Sequence, residues 1–544
     1  MRRPPAQPVE GHLDAIVVGA GIAGLVAATD LAHRGHRVLV LEHNHQAGGL
    51  MSGMRRRGFY FDVGCQSFEN MGIVFPLLEQ YGLADLAKFR RAHYRVVMPG
   101  LDAVVESIPQ MRRAFQRAYP GSSEGLGRVF DLHGRTSRFI QRVFQPDRVP
   151  YVHDERPVSM GRWLAHAVGG PALAWPPAAL QQLRDLRTWM FDDFTDWYER
   201  ELPPSGARDL LSRCGYTRMN VFVASAFWHL WAHDYWYPEG GLQAWLDRWV
   251  RRLEERGVRF LFKRRVTALQ QRGSRVAAVV TAKGEQFEAA QVVYAGDYRQ
   301  AVHRLVGLER FDRAEIARLE RAHHSDAMVS AYLGLDVPAE ELRERLGTSH
   351  TFYFPGFDCR TSMDPADPEA HRKAFLEVTA HAAADSGLAP AGKSAVVLQA
   401  FTRHDWLKSW KTGLSGDTGR DERSVPRPVE YRRLKRRVLA EMVGVFEGLL
   451  PGIGSRVVFA ELGTPQSAVR FTRNAFGGTC GFELNWRNFP FRNPLAHVRS
   501  PLDNLHMAGH FTVWPGTVPT AALSGKIAAL RAHSRIRARR SRAA

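Results

Sequence analysis

Asp14 to Gly49 is the stretch that most restricts what this chain can fold into. A short apolar run, Ala15-Ile16-Val17-Val18, leads into Gly19-x-Gly21-x-x-Gly24. A small-residue helical pattern follows, and a second β-like run, Val38-Leu39-Val40-Leu41, closes on Glu42. Gly19 allows a tight turn out of a strand, and Gly21 lets backbone approach a pyrophosphate. Gly24 lets the helix pack closely on a sheet, and the helix N-terminus faces the phosphates. Glu42 stands about 20 residues beyond the glycines, where a carboxylate can hold ribose hydroxyls. Strand, glycines, helix, strand and acid occur in register, so the reading is a dinucleotide-binding βαβ unit.

Arg2 and Arg3 ahead of an uncharged run also imitate a targeting or membrane segment. The run from Ala15 to Thr29 is shorter than the roughly 18–20 residues a spanning helix needs, and its glycines keep fingerprint spacing. The dinucleotide reading is preferred. No other stretch is long and apolar enough to be a transmembrane helix.

A chain of 544 residues with 45% hydrophobic content has room for two domains or more and a large core. Cys65, Cys214, Cys359 and Cys480 are its four cysteines, and they form no CxxC pair. They suggest neither a disulfide framework nor a zinc site, which favours a reducing cytoplasm. The net charge of +19 is partly gathered at the end of the chain, in Arg531, Arg535, Arg537, Arg539, Arg540 and Arg542. Two readings stay open for it, a solubilising disordered tail at 531–544 and attraction to an anionic membrane surface. Nucleic acid is disfavoured, because no basic stripe interleaves with aromatics.

Along the chain, 1–11 reads as a flexible lead-in and Gly72–Leu83 has helical apolar spacing. From about 90 to 235 the pattern turns helical and aromatic, with Trp189, Phe194, Trp197, Phe227, Trp228 and Trp231 among its rings. Leu242–Arg256 reads as an amphipathic helix, followed by strands at 258–262, around 265–280 and at 291–297. Lys408–Glu430 reads as a surface loop and Tyr431–Leu450 as a basic helix, its charged face read first as solvated and second as suited to lipid headgroups.

Further segments carry a family resemblance. Gly48-Gly49 and Gly58-Phe59-x-Phe61-Asp62-x-Gly64 follow the first unit. Near the far end come Ala508-Gly509-His510 and Pro515-Gly516-Thr517-Val518-Pro519-Thr520. Together these ends resemble the flavoprotein superfamily of amine oxidases and phytoene desaturases. Tyr237-Pro238-x-Gly240-Gly241 and Gly463-Thr464-Pro465 are similar to the branch holding phytoene desaturases, carotene isomerases and retinol saturases. The chain departs from that branch at Leu50, where many relatives have arginine, and at Thr517, which interrupts a glycine run.

The resemblance implies an α/β fold with a discontinuous Rossmann-type FAD-binding domain at 12–90, 237–309 and 481–530. A mixed α+β substrate domain would occupy 91–236 and 310–480. It implies FAD contacts at Gly19, Gly21, Ile22, Ala23, Gly24, Glu42, His43, Gly48, Gly49, Leu50 and Gly64. Val266 would lie by the adenine, and Gly509, His510, Val518, Pro519 and Thr520 by the flavin. The implied substrate is a hydrophobic polyene or isoprenoid drawn from a membrane, with the enzyme peripheral to its cytoplasmic side.

Hydride removal beside a double bond also requires a proton acceptor. Glu69 and His510, both tied to flavin-adjacent segments, are the candidates; a structural acceptor and a packed histidine are the plainer readings. Desaturase, isomerase and saturase chemistry stay open, as do an FAD amine oxidase and a non-catalytic prenyl-lipid chaperone. Asp192-Asp193-x-x-Asp196 spells a magnesium-diphosphate motif, but without its all-helical context an exposed acidic face is favoured. His229 and His233, one helical turn apart, are read as packing residues, so no metal site is expected.

Overall fold

The computed structural model describes residues 12–145, 149–156, 176–412, 427–485, 500–513 and 516–543. The expected lead-in, most of the 408–430 loop and Pro515 therefore lie outside the described residues.

Five short strands that run far apart in sequence form one parallel sheet. Leu13–Val18 is central, flanked by Val38–Leu41 and Ala289–Tyr294, with Arg259–Leu261 and Leu505–Met507 at the edges. In chain order the strands lie 3-2-1-4-5, the doubly wound order in which ligands bind where the winding reverses. That reversal falls between Leu13–Val18 and Ala289–Tyr294, which pair through Ala15–Gln291 to Val18–Tyr294. Ala15–Val18 and Val38–Leu41 are continuously apolar because both faces are covered. Ala15 and Val17 join the cluster beneath the helices, whereas Leu13, Ile16 and Val18 join a separate cluster on the opposite face.

The helix Ile22–His33 is buried from Ile22 through Leu31, as a helix sandwiched between sheet and helix must be. Its neighbour is Val518–Ala543, and the two approach at glycine. A Cβ on Gly525 would stand 2.1 Å from the carbonyl oxygen of Ala23, and one on Gly24 would stand 1.9 Å from that of Gly19.

The tail expected to be disordered is instead the end of this last helix, helical through Ala543. Composition misjudged it because the arginines are interleaved with Ala532 and Ile536, which are buried. His533 lies 2.8 Å from His36, and Arg540 pairs with Asp14 at 2.8 Å.

A seven-stranded sheet forms the second layer. Its strand order is Val457–Gly463, Ala327–Leu335, Ser394–Thr402, Leu376–Thr379, His350–Tyr353, Tyr94–Met98 and Leu101–Val104. Only the His350–Tyr353 and Tyr94–Met98 pair is parallel. One face packs on the helix Val429–Leu449 through Val329, Leu333, Val378, Leu398, Val438 and Met442. The alternate residues, including Met328, Phe352, Glu377, Gln399 and Phe401, face a cavity.

Helices between 108 and 233 stand opposite that face. Their rings are mostly inward: Trp189, Phe194, Trp197, Tyr198 and Trp228 are buried. The Gly72–Leu83 pattern gives a shorter helix, Val74–Gln80, and Leu242–Glu255 matches its expected span to one residue.

Candidate active site

The first turn of the nucleotide unit builds one end of the cavity. Gly19 adopts φ +101°, a left-handed conformation that favours glycine, and a Cβ there would stand 3.1 Å from the carbonyl oxygen of Ala295. Gly21 precedes the helix, and no side chain caps its N-terminus. A Cβ on Gly21 would meet no atom within 4 Å, so any side chain there would occupy the cavity itself. Free N–H groups and the positive end of the helix dipole thus face open space, an arrangement suited to a diphosphate.

Glu42 ends the second strand and is buried. Its Oε2 accepts the Ala20 N–H at 2.7 Å, and its Oε1 accepts the Asn44 N–H at 2.8 Å and lies 2.9 Å from His43 Nδ1. Burial alone would raise its pKa. The His43 and backbone donors outweigh burial and hold the carboxyl below its ordinary range, so it is ionised at neutral pH. These residues fit a dinucleotide: donors for phosphate, a fixed carboxylate for ribose, and backbone exposed where glycine leaves room.

The cavity, of about 310 Å³, continues from this cradle to the seven-stranded sheet. Gly19, Gly21, Ile22, Ala23, Glu42, His43, Gly48, Gly49, Leu50 and Gly64 line it, as do Glu69, Gly509, His510 and Val518. The two ends of the chain therefore meet on one space. Gly509 donates its N–H to Ser524 Oγ at 2.8 Å, which ties the strand end to the last helix.

Gly24, Val266, Pro519 and Thr520 stand behind the lining. Gly24 packs on Gly19, and Thr520 Oγ1 accepts the Thr517 N–H at 3.0 Å. Val266 begins an antiparallel strand just beyond Arg264, whose N–H donates to the Glu42 carbonyl at 2.8 Å.

The far part of the cavity is aromatic. Phe227 and Trp231 stack with centroids 5.6 Å apart, Trp231 meets Phe352 at 4.7 Å, and Tyr216 meets Phe401 at 4.7 Å. Glu69 enters this space from a short strand, Phe68–Glu69, paired with Tyr235 and Trp236. Burial raises its carboxyl to about 7, against the opposing effect of the Tyr235 hydroxyl, which donates to Oε1 at 2.8 Å. Burial lowers the His510 imidazole to about 4, with a backbone hydrogen bond to Thr479 opposing. It is neutral at physiological pH.

Sequence reasoning missed Glu377. It lines the cavity from the middle of the second sheet, and burial raises its carboxyl to about 7. The only cue was alternation in Phe375-Leu376-Glu377-Val378, and alternation alone does not say which face is which.

Asp62, within Gly58–Gly64, joins two separate segments of the chain. The Tyr60 and Tyr237 hydroxyls each donate to it at 2.6 Å, so the Gly58–Gly64 and Tyr237–Gly241 segments are bound to each other. Burial raises its carboxyl to about 7.

The aspartate-rich motif divides into separate duties rather than forming one acidic face. Asp193 caps the helix Phe194–Glu201 by accepting the Thr195 N–H at 2.9 Å, and Asp192 pairs with Arg200 at 2.7 Å. His229 lies 2.8 Å from Ser137 Oγ, with its ring centroid 5.2 Å from that of His233.

Comparison with known proteins accords with this geometry. The model of the family described as "Flavin containing amine oxidoreductase" matches residues 22–533. The chain belongs to that family. It is an FAD-dependent oxidoreductase with a Rossmann-type FAD domain.

Among curated relatives, it is 23% identical over 530 residues to the all-trans-retinol 13,14-reductase of Danio rerio, covering 93% of this chain and 83% of that one. It is 25% identical over 539 residues to the zeta-carotene-forming phytoene desaturase of Myxococcus xanthus, covering 94% and 92%. Among solved structures, wild-type putrescine oxidase bound to putrescine aligns with TM-score 0.59 and 16% identity, covering 95% and 98%. That likeness speaks to the fold.

Proposed function

We propose that this flavoenzyme acts on carbon–carbon double bonds of a hydrophobic polyene or isoprenoid, as a desaturase. The observation that carries this reading is one continuous cavity joining the dinucleotide cradle to a chamber walled by aromatic rings. The relatives named for retinol and phytoene chemistry support it.

Bound FAD would supply the two-electron chemistry, accepting hydride from the substrate carbon. The chain's own residues then have distinct duties. The residues that would hold the cofactor are Gly19 to Gly24, Glu42, His43, Gly48, Gly49, Leu50 and Gly64, with Val266 on the adenine side. Gly509, His510 and Val518 to Thr520 would adjoin the flavin. Phe227, Trp231, Phe352 and Phe401 hold an apolar chain and exclude water.

Glu69, titrating near 7, takes the proton lost from the carbon next to the hydride donor, and the Tyr235 hydroxyl orients its carboxyl. Neutral His510 is the second acceptor within the same lining.

Among the described residues no helix is long and apolar enough to cross a membrane. We place the protein peripherally on the cytoplasmic face of an anionic membrane. Support comes from exposed Arg432, Arg433 and Arg436 on the Val429–Leu449 helix, and from exposed Arg535, Arg537 and Arg539 on the last helix.

The test is anaerobic incubation with polyene-loaded liposomes, following flavin bleaching and product mass. Loss of two hydrogens with bleaching is the expected result. A gain of two hydrogens from the reduced enzyme would make it a saturase, and unchanged mass with altered retention an isomerase. Bleaching by amines but not by polyenes would refute the polyene reading.

A further inference from the structure

Glu377 is the acid the chemistry above leaves unused. It sits in Leu376–Thr379, with Phe352 directly opposite on one neighbouring strand and Gln399 directly opposite on the other. All three side chains share the sheet face that lines the cavity. Leu376 and Val378, one residue to either side, belong to the opposite, fully apolar face. Phe375 and Phe401 complete the surround, with ring centroids 6.3 Å apart.

None of the described residues gives the Glu377 carboxyl a hydrogen bond or ion pair, and no neighbouring charge offsets its burial. Glu69 differs, because Tyr235 donates to it. Gln399, beside Glu377, spends its amide N–H groups on Gly64 O and Ser330 Oγ, each at 3.1 Å.

The Glu377 side chain is partly exposed and faces the cavity, so a polar group inside the cavity is what its carboxyl can bond. Among the described residues no side chain supplies that partner, which leaves the cavity. A purely hydrocarbon chain has no atom that could answer a carboxyl, whereas a ligand with a polar end has one.

We propose that Glu377 is a specificity-determining anchor for a hydroxyl end group on an otherwise apolar polyene. The neutral acid can donate to and accept from an alcohol. The Gln399 side chain holds the neighbouring strand position, and Phe352, Phe375 and Phe401 bound the terminal carbons. This inference rests on the polyene reading and adds the chemistry of one substrate terminus to it. A site that hydrogen-bonds a hydroxyl discriminates strongly against the analogue lacking it, because its own polar group is then left unmatched.

The test compares a polyene alcohol with its deoxy hydrocarbon of equal length on the flavin-loaded enzyme. Dissociation constants come from anaerobic spectral titration ahead of turnover, and kcat and KM from steady state. We expect wild type to prefer the alcohol at least tenfold. Glu377→Leu should erase that preference mainly through KM, and Glu377→Gln, which still donates and accepts, should keep most of it. Unchanged flavin occupancy in both variants verifies that they are folded.

An alcohol preference that survives Glu377→Leu, or a wild type with no preference, would overturn the anchor while leaving the polyene reading intact. If neither polyene binds, both fall. Selective, Glu377-dependent binding of a long-chain amine over the alcohol would also overturn the proposal.

Discussion

At the residue scale, a carboxyl's environment decides its duty. Glu42 and Glu69 are both buried, yet Glu42 is held ionised by three donors while Glu69 is raised to about 7 by burial, with only one side-chain donor opposing. Glu42→Ala removes the fixed charge from the cradle. Loss of one charge-assisted hydrogen bond is worth about 1.5–3 kcal/mol, so FAD should be retained about 10- to 100-fold less tightly on dialysis; unchanged occupancy would count against its ribose role.

For Glu69 acting as base, the carboxylate is the active form, so activity should rise with pH through about 7. Glu69→Gln should lower kcat by about 10²–10⁴ and abolish that limb. Tyr235→Phe removes a donor that favours the carboxylate, so it should move the limb to higher pH.

Glu377 also leaves a mark on stability. Its carboxyl goes from an ordinary 4.5 when unfolded to about 7 when folded. Its contribution is therefore complete below about 4.5 and lost as pH rises to about 7. Over that window Glu377→Gln should flatten the fall in unfolding free energy by up to about 1.4 kcal/mol per pH unit. A parallel pair of curves would show that folding does not raise the carboxyl.

At the element scale, the site depends on how closely two helices approach. Gly525→Val places atoms where the Ala23 carbonyl already stands, and Ala23 lies in the first turn of the cofactor-facing helix. Overpacking of this kind costs about 1–3 kcal/mol. Thermal unfolding should shift down and flavin should leak; an unshifted melting curve would contradict the packing.

The elements also show what sequence could reveal. The βαβ unit was legible because local rules all agree there: apolar runs, glycine spacing, and an acid at the strand end. The helix Leu242–Glu255 was legible from its period and the glycines at its two ends, Gly241 and Gly257.

The cavity face of the second sheet was not legible. Glu377 faces the site only because Phe352 and Gln399 pair with it from distant stretches, and register of that kind is set by tertiary pairing. The final helix was misjudged for a related reason. Its arginines dominate composition, while burial of Ala532 and Ile536 against distant partners decides its conformation.

At the scale of the whole molecule, two sheets and a set of aromatic helices close around one cavity, and both ends of the chain contribute to its cofactor end. Part of the positive charge lies outside that cavity, as exposed arginines on two helices. Replacing Arg535, Arg537 and Arg539 with glutamine should weaken sedimentation with anionic liposomes. Each basic residue near such a surface contributes about 1 kcal/mol, and the effect should shrink as salt rises. Binding indifferent to both changes would remove charge as the means of attachment.

The most direct test of the account is the visible flavin band of the purified protein before and after anaerobic addition of a polyene. The account predicts one bound FAD per chain, held less tightly in Glu42→Ala, and a band that bleaches when the polyene enters the chamber. A colourless protein that refuses added FAD, or a flavin that no polyene can reduce or perturb, would contradict it.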